Sequence, residues 1–270
     1  MSNAAVRREP TPALIRGQPH IGDEAWAVIA PLFPPAGKTG RPRKWTSRRL
    51  LEAILYLLRT GCQWRALPDT FPPYSTVQRH FYVWRDAGLF ERINHLLVML
   101  DREREGREAS PSAAVIDSQS VKTSETGGTK GYDGGKKLTG MKRHILVDVA
   151  GRLLVACVSP ADMHDSRAAV PLLLASRRPW PFIEWVWADA SYRGERVGAA
   201  TPITVEIVTG PPNQHGFIVQ KRRWVVERTF AWIGRNRRLA KDYERMASTA
   251  LAFIFLAAAA ALIKRIADAL

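Results

Sequence analysis

Three carboxylates stand where chemistry on a phosphodiester would need them. Asp117 ends the apolar run AAVID, and Asp189 ends Trp185-Val186-Trp187-Ala188, so each lies where a strand would give way to polar chain. Glu227 lies in RRWVVERTFAWIGRNRRL, a segment with helical spacing and many cations. Oxygen-only ligands suit Mg²⁺ or Mn²⁺, and two such ions can activate a nucleophile while stabilising a leaving oxygen. Taken singly, each acid has a plainer use. Asp117 can cap a turn through Ser118 and Ser120, Asp189 a turn at Ser191, and Glu227 can pair with Arg223 one helical turn earlier. The combination carries more weight in a chain of 270 residues with 40 Lys+Arg against 25 Asp+Glu, a net charge of +15. Such a surplus calls for a polyanionic partner, nucleic acid first and anionic membrane second.

The elements that must position these acids follow from the pattern of apolar residues. Hydrophobic residues make up 46% and charged residues 24%, which excludes a disordered or fibrous chain. Cys62 and Cys157 are too far apart in sequence for a disulfide framework or a paired-cysteine metal site. The N-terminus lacks an apolar stretch of signal-peptide length. The apolar run Ala250 to Ile263 is short for a membrane span, so it reads as a buried core helix opened by Ser248 or Thr249. These features predict a cytoplasmic protein with no membrane partner.

Residues 1–19 read as a flexible arm, and 20–100 as a small all-α module of helix-turn-helix type. In that module Thr46 caps a helix carrying Leu50, Leu51, Ile54, Leu55 and Leu58, and Gly61 stops it. A helix from Ser75 to Asp86 puts Val77, Phe81 and Trp84 on one side, leaving Arg79 and Arg85 off it as candidates for DNA contact. Arg41, Arg43 and Lys44 in GRPRKW are candidates for phosphate. The polar stretch DREREGREASPS, 101–112, reads as a linker. From 113 to 270 strand candidates come first: AAVID, the hairpin RHILVDV/RLLVACV around Ala150-Gly151, IEWVWAD and ITVEIV. Helices from about Asp165, Lys221 and Ser248 complete an α/β layer with a central sheet.

Other motifs carry less. TGGTKGYDGGKK is not a Walker loop and reads as a hairpin loop whose Lys136 and Lys137 could meet phosphate. Asp162-Met163-His164-Asp165 reads as an acidic helix start. Most of the tryptophans of the C-terminal half, Trp180, Trp185, Trp187, Trp224 and Trp232, should be core.

Three blocks make the sequence resemble a known family: DEAWAVIAPLFPP with GRPRKW and RTGCQWRALPDTFPPYSTVQRHFYVWRDAGLFERI; IDSQSVKT, GYDGGKK and KRHILVDVAGRLLVACVSPADMHD; and ADASYRG followed by RRWVVERTFAWIGRNRRLAKDYER. It is similar, over about residues 20 to 245, to the DDE transposases of bacterial insertion sequences, family five. The resemblance implies an RNase H-like catalytic domain, with a central mixed sheet and packed helices, behind the helical N-terminal domain. It implies Asp117, Asp189 and Glu227 as catalytic metal ligands, Mg²⁺ or Mn²⁺ as cofactor, and double-stranded DNA as partner, both inverted-repeat ends and target. A homo-oligomer on DNA is implied too. Arg223 matches the family's arginine before the glutamate. Gln220 and Gly234 stand where the family has Tyr and Lys, with Arg235 beside the latter. Arg237 and Arg238 complete the basic candidates. Two other readings stay open, a DNA-binding protein without catalysis and a metal nuclease of this fold that cuts without joining.

Overall fold

The computed structural model describes residues 19–35, 43–124, 128–208 and 223–267. Arg41, Gln220 and most of the expected N-terminal arm lie outside these residues.

Four helices come first: α1 (Asp23–Ile29), α2 (Ser47–Thr60), α3 (Tyr74–Asp86) and α4 (Leu89–Arg104). Thr46 caps α2, its side chain accepting from the Arg49 backbone N–H at 3.2 Å, and Gly61 ends it in the left-handed conformation at φ 71°. A side chain on Gly61 would also press on the backbone of Arg237, so the glycine meets both a backbone and a packing requirement. Helix α3 starts at Tyr74 behind Pro73 and buries Val77, Phe81 and Trp84 as its spacing predicts.

The sheet follows, with β1 (Ala113–Lys122), β2 (Gly131–Asp133), β3 (Leu138–Asp148), β4 (Leu153–Pro160), β5 (Trp185–Ala188) and β6 (Thr204–Ile207). Helix α5 (Asp165–Ser176) joins β4 to β5, and the short α6 (Glu195–Gly198) joins β5 to β6. Strand β3 runs antiparallel to both β4 and β1, whereas β1, β5 and β6 are mutually parallel neighbours. Across the sheet the order is therefore β4-β3-β1-β5-β6, with the first strand in the middle and β2 pairing the start of β3. A central first strand flanked by an antiparallel meander on one side and parallel crossovers on the other is the RNase H-like arrangement. Strand β1 runs five residues beyond the sequence estimate because its polar second half stays paired with β3 as far as Lys122 and Gly140.

Helices α7 (Trp224–Gly234) and α8 (Ala247–Ala267) close the fold. Helix α8 is long and apolar enough to cross a membrane by composition, but it packs as a core helix: Phe253, Ile254 and Ala259 are fully buried, and it contacts α1 to α4, α7 and β4. The N-terminal helices accordingly share one hydrophobic core with the sheet through α4 and α8.

The stretch 101–112, expected as a linker, begins as the last turn of α4. Its first two charges, Asp101 and Arg102, are buried, while Glu103, Arg104, Glu105, Arg107 and Glu108 are exposed. Asp101 is fully buried and accepts from Arg152 Nε at 2.7 Å, Arg104 at 2.8 Å and Arg265 at 3.1 Å. Arg102 reaches Asp148 at 2.6 Å, and Arg152 adds Asp148 at 3.1 Å and Glu105 at 2.7 Å. This network ties α4 to the β3–β4 turn and to α8. Composition alone cannot separate buried, paired charges from a solvated tether.

Candidate active site

Strand register brings the two aspartates together. Val115 of β1 pairs with Trp187 of β5 in parallel, and Asp117 and Asp189 each lie two residues further along. A period of two returns the side chain to the same face, so both carboxylates stand side by side, Asp117 midway along β1 and Asp189 just past the end of β5. Each Oδ1 is used locally: that of Asp117 accepts from the Ser118 backbone N–H at 2.7 Å, that of Asp189 from the Ser191 N–H at 2.8 Å. Each Oδ2 faces Arg223, whose Nη2 lies 3.6 Å from Asp117 and 3.5 Å from Asp189.

Arg223 precedes α7, whose apolar face of Val225, Val226, Phe230 and Ile233 is buried. The helix is pinned to the β3–β4 turn by Thr229 Oγ1 donating to Gly151 O at 3.0 Å and Arg228 donating to Ala150 O at 2.8 Å. That docking leaves Glu227 on the exposed side, one turn after Arg223 and close enough to act on the Asp117 charge. In place of the plainer alternative, an Arg223–Glu227 pair, Arg223 contacts both aspartates.

Burial, first of all, pushes the Asp117 carboxyl up to about 6. The Ser118 N–H and Arg223 oppose that shift, while the charges of Asp189 and Glu227 reinforce it. Negative charge is thus concentrated on oxygen donors at one point of the sheet, which fits a hard divalent cation such as Mg²⁺ or Mn²⁺. Among the described residues no three His, Cys, Asp or Glu side chains are gathered into a ready metal cluster.

Behind Asp117, on the opposite face of β1, lies a polar group that the sequence did not reveal. Ser118 Oγ donates to Asp165 at 2.9 Å, and Asp165 also meets Lys142 at 3.1 Å and His144 at 3.9 Å. Tyr192, three residues after Asp189, is buried there, and burial together with Asp117, Asp165 and Asp189 holds its phenol well above the usual range. The alternation of Asp117 with Ser118 on a strand was the available signal, but their partners are distant in sequence.

The basic candidates divide. Lys44, Lys136, Lys137, Arg79, Arg235 and Arg237 are exposed. Arg43 is exposed and donates to the carbonyls of Pro34 and Pro35 at 3.2 and 2.9 Å. Arg85 is different: it pairs with Asp86 at 2.7 Å, donates to Thr249 at 2.8 Å and packs over Tyr82, joining α3 to α8. Arg238 binds Glu244 at 2.6 Å and Cys62 O at 3.3 Å. These two guanidinium groups have partners within the fold.

Residues 108–262 match the family model of the transposase DDE domain, more than half of the chain. The chain belongs to the DDE transposases. Residues 21–94 match a second model, describing transposases of the IS4/5 family, so both parts point to an insertion sequence. An uncharacterized 16.2 kDa protein of insertion element IS402 from Burkholderia cepacia is 34% identical over 115 residues, 39% of this chain and 74% of that protein. A transposase ascribed to the same element is 34% identical over 126 residues, 43% of this chain and 60% of that protein. Among solved structures, the Mos1 transposase paired-end complex with the left transposon end aligns with 13% identity and a TM-score of 0.23, over 62% of this DDE transposase and 59% of that chain.

Proposed function

We propose that this DDE transposase binds the terminal inverted repeats of its insertion sequence and cuts and rejoins DNA by phosphoryl transfer that depends on Mg²⁺ or Mn²⁺. The observation that carries the reading is the matched register of Asp117 and Asp189, with both Oδ2 atoms turned to one cationic point beside the Glu227 helix. In this reading Asp117, Asp189 and Glu227 hold the metal, and Mg²⁺ or Mn²⁺ bound there supplies Lewis-acid activation of the nucleophile and neutralises the leaving oxygen.

The chain's own residues do the rest. The exposed Lys136 and Lys137 in the β2–β3 hairpin, with Arg235 and Arg237 after α7, hold the phosphate backbone, while α3 and Arg79 read the element's ends. Water first attacks the phosphorus at the element's end, breaking its bond to the 3′ oxygen, which leaves as a hydroxyl. That hydroxyl then attacks a phosphorus of target DNA and displaces a 3′ oxygen there. No covalent bond to the protein forms in either step. The reading includes a homo-oligomer on DNA, since two ends must be joined.

The test uses the full-length protein with DNA carrying the inverted repeats of its own element. Preference for those ends over random DNA is expected in gel shift, together with joining of pre-cut ends to a target plasmid in Mg²⁺. Binding without cutting would identify a DNA-binding protein that lacks catalysis. Cutting without joining would identify a nuclease.

A further inference from the structure

We propose that the Arg223 guanidinium is a built-in counter-ion for the Asp117–Asp189 pair in the metal-free protein, and that a divalent cation reaches this pair by displacing it. The inference rests on the reading of the two aspartates as metal ligands, and it concerns what competes with the metal.

Both carboxylates spend Oδ1 on a backbone N–H, at Ser118 and Ser191, which leaves Oδ2 as the free donor of each. Both free donors face the same nitrogen, at 3.6 and 3.5 Å. A metal ion bridging the strands would need those two oxygens, so guanidinium and metal compete for one place. Two adjacent, largely buried carboxylates repel each other, and a resident cation removes that cost when no metal is bound.

Arg223 is held loosely enough to leave. Charge-assisted hydrogen bonds of guanidinium to carboxylate are ordinarily near 2.7–2.9 Å, and neither contact is that close. Its Nε is buried without a hydrogen-bond partner, so the group has not settled into a fully satisfied site. The contrast within the molecule is Arg152, whose guanidinium meets Asp101 and Glu105 at 2.7 Å each and is fully buried. Arg223 also sits immediately before α7 rather than within it, so the side chain can move without disturbing the helix that carries Glu227.

The experiment is a Mn²⁺ titration of the full chain by calorimetry, without DNA, paired with thermal unfolding in chelator and in Mn²⁺. Arg223→Gln keeps much of the side chain's length and removes its charge; Arg223→Ala is the second variant. Arg235→Gln removes an equal charge from the end of the same helix without touching the carboxylates, and Asp117→Asn/Asp189→Asn removes the ligands. The expected result is Mn²⁺ binding about tenfold tighter in both Arg223 variants than in wild type, little change in Arg235→Gln, and a lower unfolding temperature for the Arg223 variants in chelator that Mn²⁺ restores. Equal affinity in wild type and the Arg223 variants, with binding abolished in the double aspartate variant, overturns the counter-ion and leaves the metal site standing. Mn²⁺ binding that survives in the double aspartate variant, or no binding in any form, overturns the site reading itself.

Discussion

Asp117 and Asp189 occupy equivalent places on neighbouring parallel strands, each two residues beyond the paired Val115 and Trp187, with Arg223 between their outer oxygens. That relationship follows from the parallel pairing of β1 and β5, which are separated in sequence by the meander and α5. It gives the DDE reading its geometry, and it turns several questions about this chain into measurements.

The exposed cations should divide by experiment as they divide in space. Replacing Lys136, Lys137, Arg235 and Arg237 with Gln should weaken binding to all DNA sequences and reduce the salt slope by up to about 0.9 for each phosphate that is no longer neutralised. Arg85→Ala and Arg238→Ala should leave that slope unchanged and instead lower the unfolding free energy, because their partners Thr249 and Glu244 belong to the fold. Filter binding across a salt series, alongside urea denaturation, reads both.

The charge network under the β3–β4 turn should behave as one unit. Asp101→Asn leaves Arg152 buried with a weakened partner, and breaking one side of a buried pair costs about 3–5 kcal/mol. Because α4 and α8 join the helical layer to the sheet, the wild-type chain should unfold in one cooperative transition, seen identically by tryptophan fluorescence and circular dichroism.

His144 provides the pH dependence. Its ring is fully buried, with Nε2 on Ser159 Oγ at 2.8 Å, and burial holds its pKa down at about 4. Asp165, which faces it, opposes that depression, and the charges of Lys142 and Lys136 deepen it. The unfolded chain takes up a proton near pH 6.5 that the folded chain refuses until about 4. Stability contributed by the neutral ring is therefore present above pH 6.5 and falls between 6.5 and 4, by on the order of 3 kcal/mol. The raised Asp117 carboxyl works in the opposite sense between about pH 4 and 6, so the slope is read as the difference between wild type and His144→Gln in denaturation at a series of pH values, and that difference should fall as pH drops from 6.5 to 4.

Much of this site is legible in the sequence because local patterns write it. An apolar run ending in a carboxylate marks where a buried strand turns polar, and the runs of β1 and β5 both lead into one, although β1 itself continues to Lys122; the apolar spacing of α7 turns Glu227 away from its buried face. What cannot be read locally is whether a charge has a partner far along the chain. Asp101 and Arg102 read as linker because Asp148, Arg152 and Arg265 are distant, and Arg85 reads as a DNA contact because Thr249 is distant too. The short β2 also escapes a sequence reading, since three residues in a glycine-rich loop have no period, and only pairing with Leu138 to Gly140 makes them a strand. The contacts from Arg223 to both aspartates, rather than to the acid one turn later, depend on register that composition does not hold.

The most direct measurement is cleavage of DNA bearing the element's own inverted repeats by wild type, Asp117→Asn, Asp189→Asn and Glu227→Gln, with Mg²⁺ and with chelator, gel shift run in parallel. Cutting by wild type is expected only when the divalent ion is present, and each variant should cut about a hundredfold or more slowly while still binding the ends. Double variants should be no worse than single ones, because the three acids serve one site. Near-normal, Mg²⁺-dependent cleavage by Glu227→Gln, or cleavage by wild type in chelator, would contradict the assignment of these three acids to one metal site.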